Sequence, residues 1–249
     1  MFSMLYLQHQ LSTMLVSLVV FFSSQLGIAA NSKILHFEEA KKLARPLHEE
    51  QPYTIYCHCR YSGKVVDLES CGYKTQSMPK RAARIEWEHV VPAEAFGQSF
   101  KEWREGSDAC VKHGKRYKGR KCARTNSDFS KMESDLYNLW PEVGELNALR
   151  SNFSMAALTE SKYDFGGCKA KISDRKFEPM DSAKGIVART YQYMDQAYPG
   201  RGVISEKNQK LFEAWSALYP VTDWECKRAK KIEAIQESSN PILDKYCKK

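Results

Sequence analysis

The sequence predicts an α+β fold: a helix-rich single domain with a small antiparallel sheet, braced by disulfides. Three observations carry that expectation. Apolar and aromatic residues recur at helical spacing late in the chain, as Val187, Tyr191, Met194 and Tyr198 over residues 181–198 and as Phe212, Trp215 and Tyr219 over residues 209–219. Two earlier stretches, residues 53–74 and 84–91, alternate in period two instead. Finally, the eight cysteines (57, 59, 71, 110, 122, 168, 226 and 247) are even in number and all lie beyond residue 30.

The elements follow in chain order. Residues 1–30 carry no Lys, Arg, Asp or Glu, and "MLVSLVVFF" (Met14 to Phe22) is an apolar core too short to span a bilayer. With "SSQLGIAANSK" behind it, this reads as a secretory signal cleaved after Ala30 or Ala29, although the usual basic residue ahead of the core is missing. An uncleaved anchor is the competing reading. Residues 31–249 then form one domain, with no repeat, low-complexity tract or Pro/Gly/Ser-rich linker to divide it. Export places the cysteines in an oxidising compartment, so four disulfides are expected. A zinc site fits less well, because Cys57 and Cys59 are one residue apart and no paired CxxC follows. Eight cysteines allow about 105 pairings; Cys110 with Cys122 is the natural local loop.

Residues 37–48 read as a helix disturbed by Pro46, and residues 53–74 as a hairpin turning at Ser62-Gly63. In the strand over residues 84–91, Ile85, Trp87, His89 and Val91 fall on one face and Glu86, Glu88 and Val90 on the other; Pro92 ends it. Residues 101–130 look like a long loop held by a disulfide. Pro141 suits the first position of a helix in which Val143, Asn147 and Arg150 share a face. Gly200 closes the first late helix and Pro220 the second.

The formal charge is +8, and residues 101–131 alone hold ten basic residues against four acids. Such a segment suits an anionic polymer, although a solvated loop or attraction to an anionic membrane would give the same composition. Two carboxylates and a histidine inside the hydrophobic run "RIEWEHVVPAEAFG" need partners. A strand ending in a carboxylate and a histidine, followed by a helix with an inward Asn, has the parts of a one-metal nuclease: hard oxygen donors for a cation such as Mg²⁺ and an imidazole to take a proton from water. A satisfied core histidine and a surface glutamate are the plain alternative. Neighbouring residues of a regular strand also point to opposite faces. Glu88 and His89 can therefore meet at one point only where the strand becomes irregular.

"RIEWEHVVPAEAFG", "KMESDLYNLWPEVGELNALRSNF", "GIVARTYQYM" and "YPVTDWECKRAKKI" together resemble the bacterial endonuclease I family, exported non-specific nucleases with a ββα-metal (His-Me finger) site. The similarity covers nearly all of residues 31–249. It implies that His89 is the general base, Glu88 and Asn147 the ligands of Mg²⁺ or another divalent cation, and Arg120 the holder of the scissile phosphate. Glu86, Glu133 and Asn138 are then groups that brace these. Lys115, Arg116, Lys118, Lys121, Arg124 and Arg150 become candidate nucleic-acid contacts. Two departures stand out: the family often has His where Tyr137 stands, and the segment between Cys110 and Cys122 is laid out differently, which leaves Arg116 and Arg124 as rivals of Arg120. The implied protein is a periplasmic or secreted monomer without stable membrane association. It cleaves double- and single-stranded DNA, with RNA as a further substrate, to 5′-phosphate products. A disulfide-rich nucleic-acid-binding or uptake protein and a glycosidase using Glu86 with Glu88 are the rivals from other classes.

Overall fold

A computed structural model describes residues 30–247; the signal-peptide assignment falls almost wholly outside them. The first helix, α1 (Phe37–Leu47), buries Ala40, Ala44 and Leu47 on a face of four- and three-residue spacing and keeps Pro46 in its last turn. A hairpin of β1 (Arg60–Ser62) and β2 (Val65–Asp67) follows, with Ser62 opposite Val65. Its turn is therefore Gly63-Lys64, one residue later than expected, with Gly63 at φ +58°. A short helix α2 (Pro79–Ala82) leads into β3 (Ile85–His89), the strand read from the sequence.

Residues 101–130 are not a plain loop. After α3 (Ala93–Gly97) come α4 (Lys101–Arg104), a two-residue-per-strand hairpin of β4 (Val111–Lys112) and β5 (Lys115–Arg116), α5 (Arg120–Ala123) and α6 (Ser127–Glu133). Phe129, wholly buried, meets Phe96, Phe100 and Trp103 edge-on or tilted at 5.5–5.7 Å. This small aromatic core gives the segment an apolar anchor that its high charge conceals.

Pro141 is not a helix start. It lies inside β6 (Leu139–Val143), opposite Trp87, in an antiparallel ribbon with β3. Both strands of a two-stranded ribbon are edges, where a proline nitrogen need not donate. The helix begins at Gly144, as α7 (Gly144–Arg150). A Cβ there would lie 2.6 Å from the Arg81 carbonyl oxygen, so only glycine lets α7 fold back this closely against α2. The unit β3–β6–α7 carries Glu88, His89 and Asn147 within one supersecondary motif.

The remainder is a three-stranded sheet of β7 (Ser154–Met155), β8 (Lys171–Ser173) and β9 (Lys176–Glu178), in the order β7-β9-β8, and a helical layer of α8 (Asp181–Ala197), α9 (Glu206–Leu218) and α10 (Asp223–Gln236). The two aromatic stripes meet as expected: Tyr191 stacks on Phe212 at 4.4 Å. α10 begins with a capping box between Thr222 and Glu225.

All eight cysteines pair, as Cys57–Cys168, Cys59–Cys71, Cys110–Cys122 and Cys226–Cys247. The first ties the hairpin region to the segment before β8 across 111 residues. A loop of that length is worth about 4.7 kcal/mol in the chain-entropy account.

Candidate active site

β3 delivers Glu86, Glu88 and His89 to the floor of an open cleft of about 820 Å³, whose walls include Phe37, Arg120, Asn147 and Arg150. Glu88 and His89 are neighbours, yet both line it. The strand leaves its ladder at His89, and the chain beyond is held from two sides. The Asn138 side-chain oxygen accepts from Val91 N at 2.7 Å, its amide donates to Val91 O at 3.0 Å, and its own carbonyl accepts from Val90 N. Arg150 donates to the carbonyls of His89 and Val90 at 3.0 and 2.6 Å. The ladder itself stays in register through Glu88 and His89, opposite Trp140 and Leu139, so the departure expected between the two lies just beyond them.

His89 is 7% exposed. Its Nε2 lies 2.8 Å from the main-chain oxygen of Glu133, and a carbonyl oxygen can only accept. Nε2 therefore carries the proton and Nδ1 is the nitrogen with a free lone pair. The ring packs on Phe37 at 4.8 Å between centroids. Burial, helped by the Arg120 charge, lowers its pKa to about 4, so the imidazole is neutral at physiological pH.

That shift makes a stability prediction. The unfolded chain protonates His89 near 6.5 and the folded one only near 4. Its contribution is therefore complete above pH 6.5 and lost as pH falls to 4, on the order of 3 kcal/mol. His48, buried beside Arg228, is also held well below its usual value and acts with the same sign. Urea midpoints measured at pH 7 and pH 4.5 in metal-free buffer should fall steeply for the native chain and less so for His89→Gln; equal slopes would contradict the buried neutral ring.

Glu133 serves two partners. Its carbonyl orients His89, while its carboxylate binds Arg120 Nε and is gripped by Arg124 at 2.7 and 2.8 Å. Burial pushes this carboxyl upward, but the two guanidinium groups outweigh it and leave the pKa below the ordinary range. The Arg120 guanidinium also lies 5.0 Å over Phe37, and its Nη2 is a buried donor without a partner. Arg116, by contrast, pairs with Asp108 on the exposed hairpin and does not line the cleft.

Glu88, 3% exposed, meets Arg150 Nη1 and the Tyr56 hydroxyl, both at 2.9 Å and both on Oε1. Burial raises its pKa, and Arg150 opposes that. Asn147 donates its amide to Glu86 at 3.5 Å, which leaves Oδ1 as the side of the group that can face a cation. Glu86 is itself held by Arg81 at 2.8 and 2.6 Å and by Arg84 at 3.1 Å. A carboxylate oxygen and an amide oxygen on one cleft are the hard donors that Mg²⁺ takes, with water and substrate filling the rest of its shell. Among the described residues no group of three or more His, Cys, Asp or Glu could hold a metal, and such a two-ligand site needs none.

Arg150 is placed otherwise than a nucleic-acid contact requires. It is 1% exposed and turned inward onto Glu88 and two carbonyls, because α7 presents it to the ribbon and not to solvent. Lys115, Lys118, Lys121 and Arg124 are exposed, and none of them lines the cleft. Tyr137 is buried away from it, donating to the carbonyls of Ala229 and Ser238. The cleft instead recruits α1, whose Phe37, Lys41 and Arg45 recur every four residues. That spacing is visible in "FEEAKKLAR" and could have placed the three on one helix face. Nothing local marks Tyr56 as the partner of Glu88.

The ββα unit thus sets a neutral imidazole, a carboxylate, an amide and an unsatisfied arginine along a cationic cleft, a set of groups suited to phosphodiester hydrolysis. Comparison with known proteins narrows that reading. The chain belongs to the Endonuclease I family, whose model matches residues 29–247. It is 39% identical over 238 residues to Endonuclease-1 of Buchnera aphidicola (subsp. Acyrthosiphon pisum), covering 93% of this chain and 90% of that one. An extracellular deoxyribonuclease of Aeromonas hydrophila is 38% identical (85% and 90% covered), and a periplasmic deoxyribonuclease of the same organism 37% identical (85% and 86% covered).

Proposed function

We propose that this protein is an exported endodeoxyribonuclease that hydrolyses phosphodiester bonds with little sequence preference, using His89 as general base and one divalent cation, Mg²⁺ foremost. One observation carries the reading: His89, Glu88, Asn147 and Arg120 converge on one cleft although they come from three different elements, far apart in the chain. Relatives named as extracellular and periplasmic deoxyribonucleases support DNA as substrate and export as destination. No helix of the described residues is long and apolar enough to cross a membrane. The protein acts as a monomer in the periplasm or the medium, on double- and single-stranded DNA and secondarily on RNA.

In this reading, Nδ1 of His89 removes a proton from the attacking water while Nε2 stays bonded to Glu133. The unpartnered Nη2 of Arg120 takes a phosphate oxygen and fixes the phosphorus for in-line attack. Cleavage on the 3′-oxygen side leaves a 5′-phosphate. Glu88 and Asn147 would hold the cation, which when bound would supply charge neutralisation for the phosphate and the departing oxygen. Glu86 accepts from the Asn147 amide, which leaves Oδ1 as the oxygen that could serve the cation.

Plasmid DNA separates this from a non-catalytic binder. Nicking should stop in EDTA and return on adding Mg²⁺. Retarded but uncut plasmid in Mg²⁺ would replace the nuclease by an uptake or binding protein. Activity on cell-wall polysaccharide alone would favour the Glu86–Glu88 carboxylate pair instead.

A further inference from the structure

The cations of the cleft divide into two kinds. Arg81 and Arg84 are spent on Glu86, Arg120 on Glu133, Arg150 on Glu88 and Lys41 on Glu38. Lys42, Arg45 and Lys64 also line it, yet among the described residues none of the three forms an ion pair. All three are exposed. Glu38, which also lines the cleft, is held by Lys41 and feels Lys42 only at a distance.

Their placement is ordered. Phe37, at the start of α1, rests on His89 at the end of β3. His48, one residue past α1, rests against Trp87 in mid-strand at 5.8 Å. α1 thus runs back along β3, away from the base. Lys64 lies at the far end, where its carbonyl accepts from Ile85 N at 2.9 Å. Phe37 to Arg45 spans about 12 Å of helix, and His89 to Ile85 about 13 Å of strand. Either length matches about four nucleotide steps along a duplex axis. Half-buried Trp87 lies on the floor between.

Unpaired cations can turn to phosphate without giving up a carboxylate, whereas the paired ones, apart from the free Nη2 of Arg120, cannot. We infer that the substrate strand leaves the scissile position along this track, its phosphates neutralised by Lys42, Arg45 and Lys64 and not by the β4–β5 hairpin. This rests on the nuclease reading. It also accounts for sequence tolerance, since contacts to phosphate carry no base information.

The test is a salt titration of binding to a short fluorescein-labelled DNA duplex. Binding without cleavage is obtained with His89→Ala in EDTA. Adding Lys42→Gln, Arg45→Gln and Lys64→Gln should weaken binding alike for unrelated sequences and reduce the slope of log K against log salt by about 0.9 for each phosphate no longer neutralised. Lys115→Gln with Lys118→Gln should leave the slope unchanged. With His89 restored, the triple variant should show a raised KM and a nearly native kcat in Mg²⁺. An unchanged slope in the triple variant, or a loss confined to the hairpin variant, overturns the track. If that happens while native protein still nicks plasmid, the nuclease reading stands alone; if native protein neither binds nor nicks, both fail.

Discussion

His89→Ala is expected to leave a folded protein whose plasmid nicking is slower by about 10² to 10⁴. The magnitude follows from position. The imidazole is neutral, its tautomer is fixed by the Glu133 carbonyl, and its plane is held by Phe37. Among the described residues no other histidine lines the cleft. Excess Mg²⁺ should not restore the rate. Asn147→Ala should behave differently: it removes a half-buried oxygen donor, so activity falls at low Mg²⁺ and recovers in part as Mg²⁺ is raised. Circular dichroism and a Mg²⁺ titration of both variants distinguish the roles. Recovery of His89→Ala by metal would show that the histidine serves the cation and not the water.

The second large effect is on stability. Arg150→Met should destabilise the chain by about 3 to 5 kcal/mol, the cost of stranding a buried charge. Glu88 would then keep the Tyr56 hydroxyl but no cation, and the carbonyls of His89 and Val90 would lose their donors together. Glu88→Gln in the same background should recover part of the loss, because it removes the stranded charge. Denaturant midpoints at neutral pH measure both. A cost below about 1 kcal/mol for Arg150→Met would mean that water reaches Glu88 freely and that the carboxylate is not buried as described.

Much of the fold was legible because it is written locally. α1, α8 and α9 announce themselves by stripes, and β3 by alternation. Cys110–Cys122 was legible from a separation of 12 residues, whereas Cys57–Cys168 spans 111 and could not be chosen among the many pairings. The misreading of Pro141 has a simple cause. Proline at a helix start and proline in an edge strand look alike until the partner strand is known, and that partner lies about fifty residues away at Trp87. The small sheet of β7, β8 and β9 has strands of two or three residues, too short for any periodicity. Within the site, Glu88 and His89 stood out as chemistry misplaced in an apolar run, whereas Asn147 rested on its helix-face spacing with Val143 and Arg150 and on the family resemblance. Arg150 was misjudged because charge in a sequence suggests surface, while its true partner is Glu88 across the motif. The basic segment drew attention away from α1 for the same reason: density of charge is visible in sequence, availability of charge is not.

The segment between β3 and β6 enters and leaves the ribbon at adjacent points, since His89 lies opposite Leu139. Asn138 staples that neck shut through Val91. Everything in between, from α3 through α6, is an insertion with its own aromatic core and its own disulfide, tied to the rest where Lys131 O accepts from Asn31, Asp128 meets Arg201 and Arg120 lies over Phe37. Arg120 and the Glu133 carbonyl return to the base, and Pro92, Ala93, Glu94 and Trp103 of the same segment also line the cleft. A protein engineer would recognise a graft point. An exchanged insertion that preserved these groups and the Asn138 staple would carry new surface chemistry to the same ribbon, and substrate choice would become separable from bond cleavage.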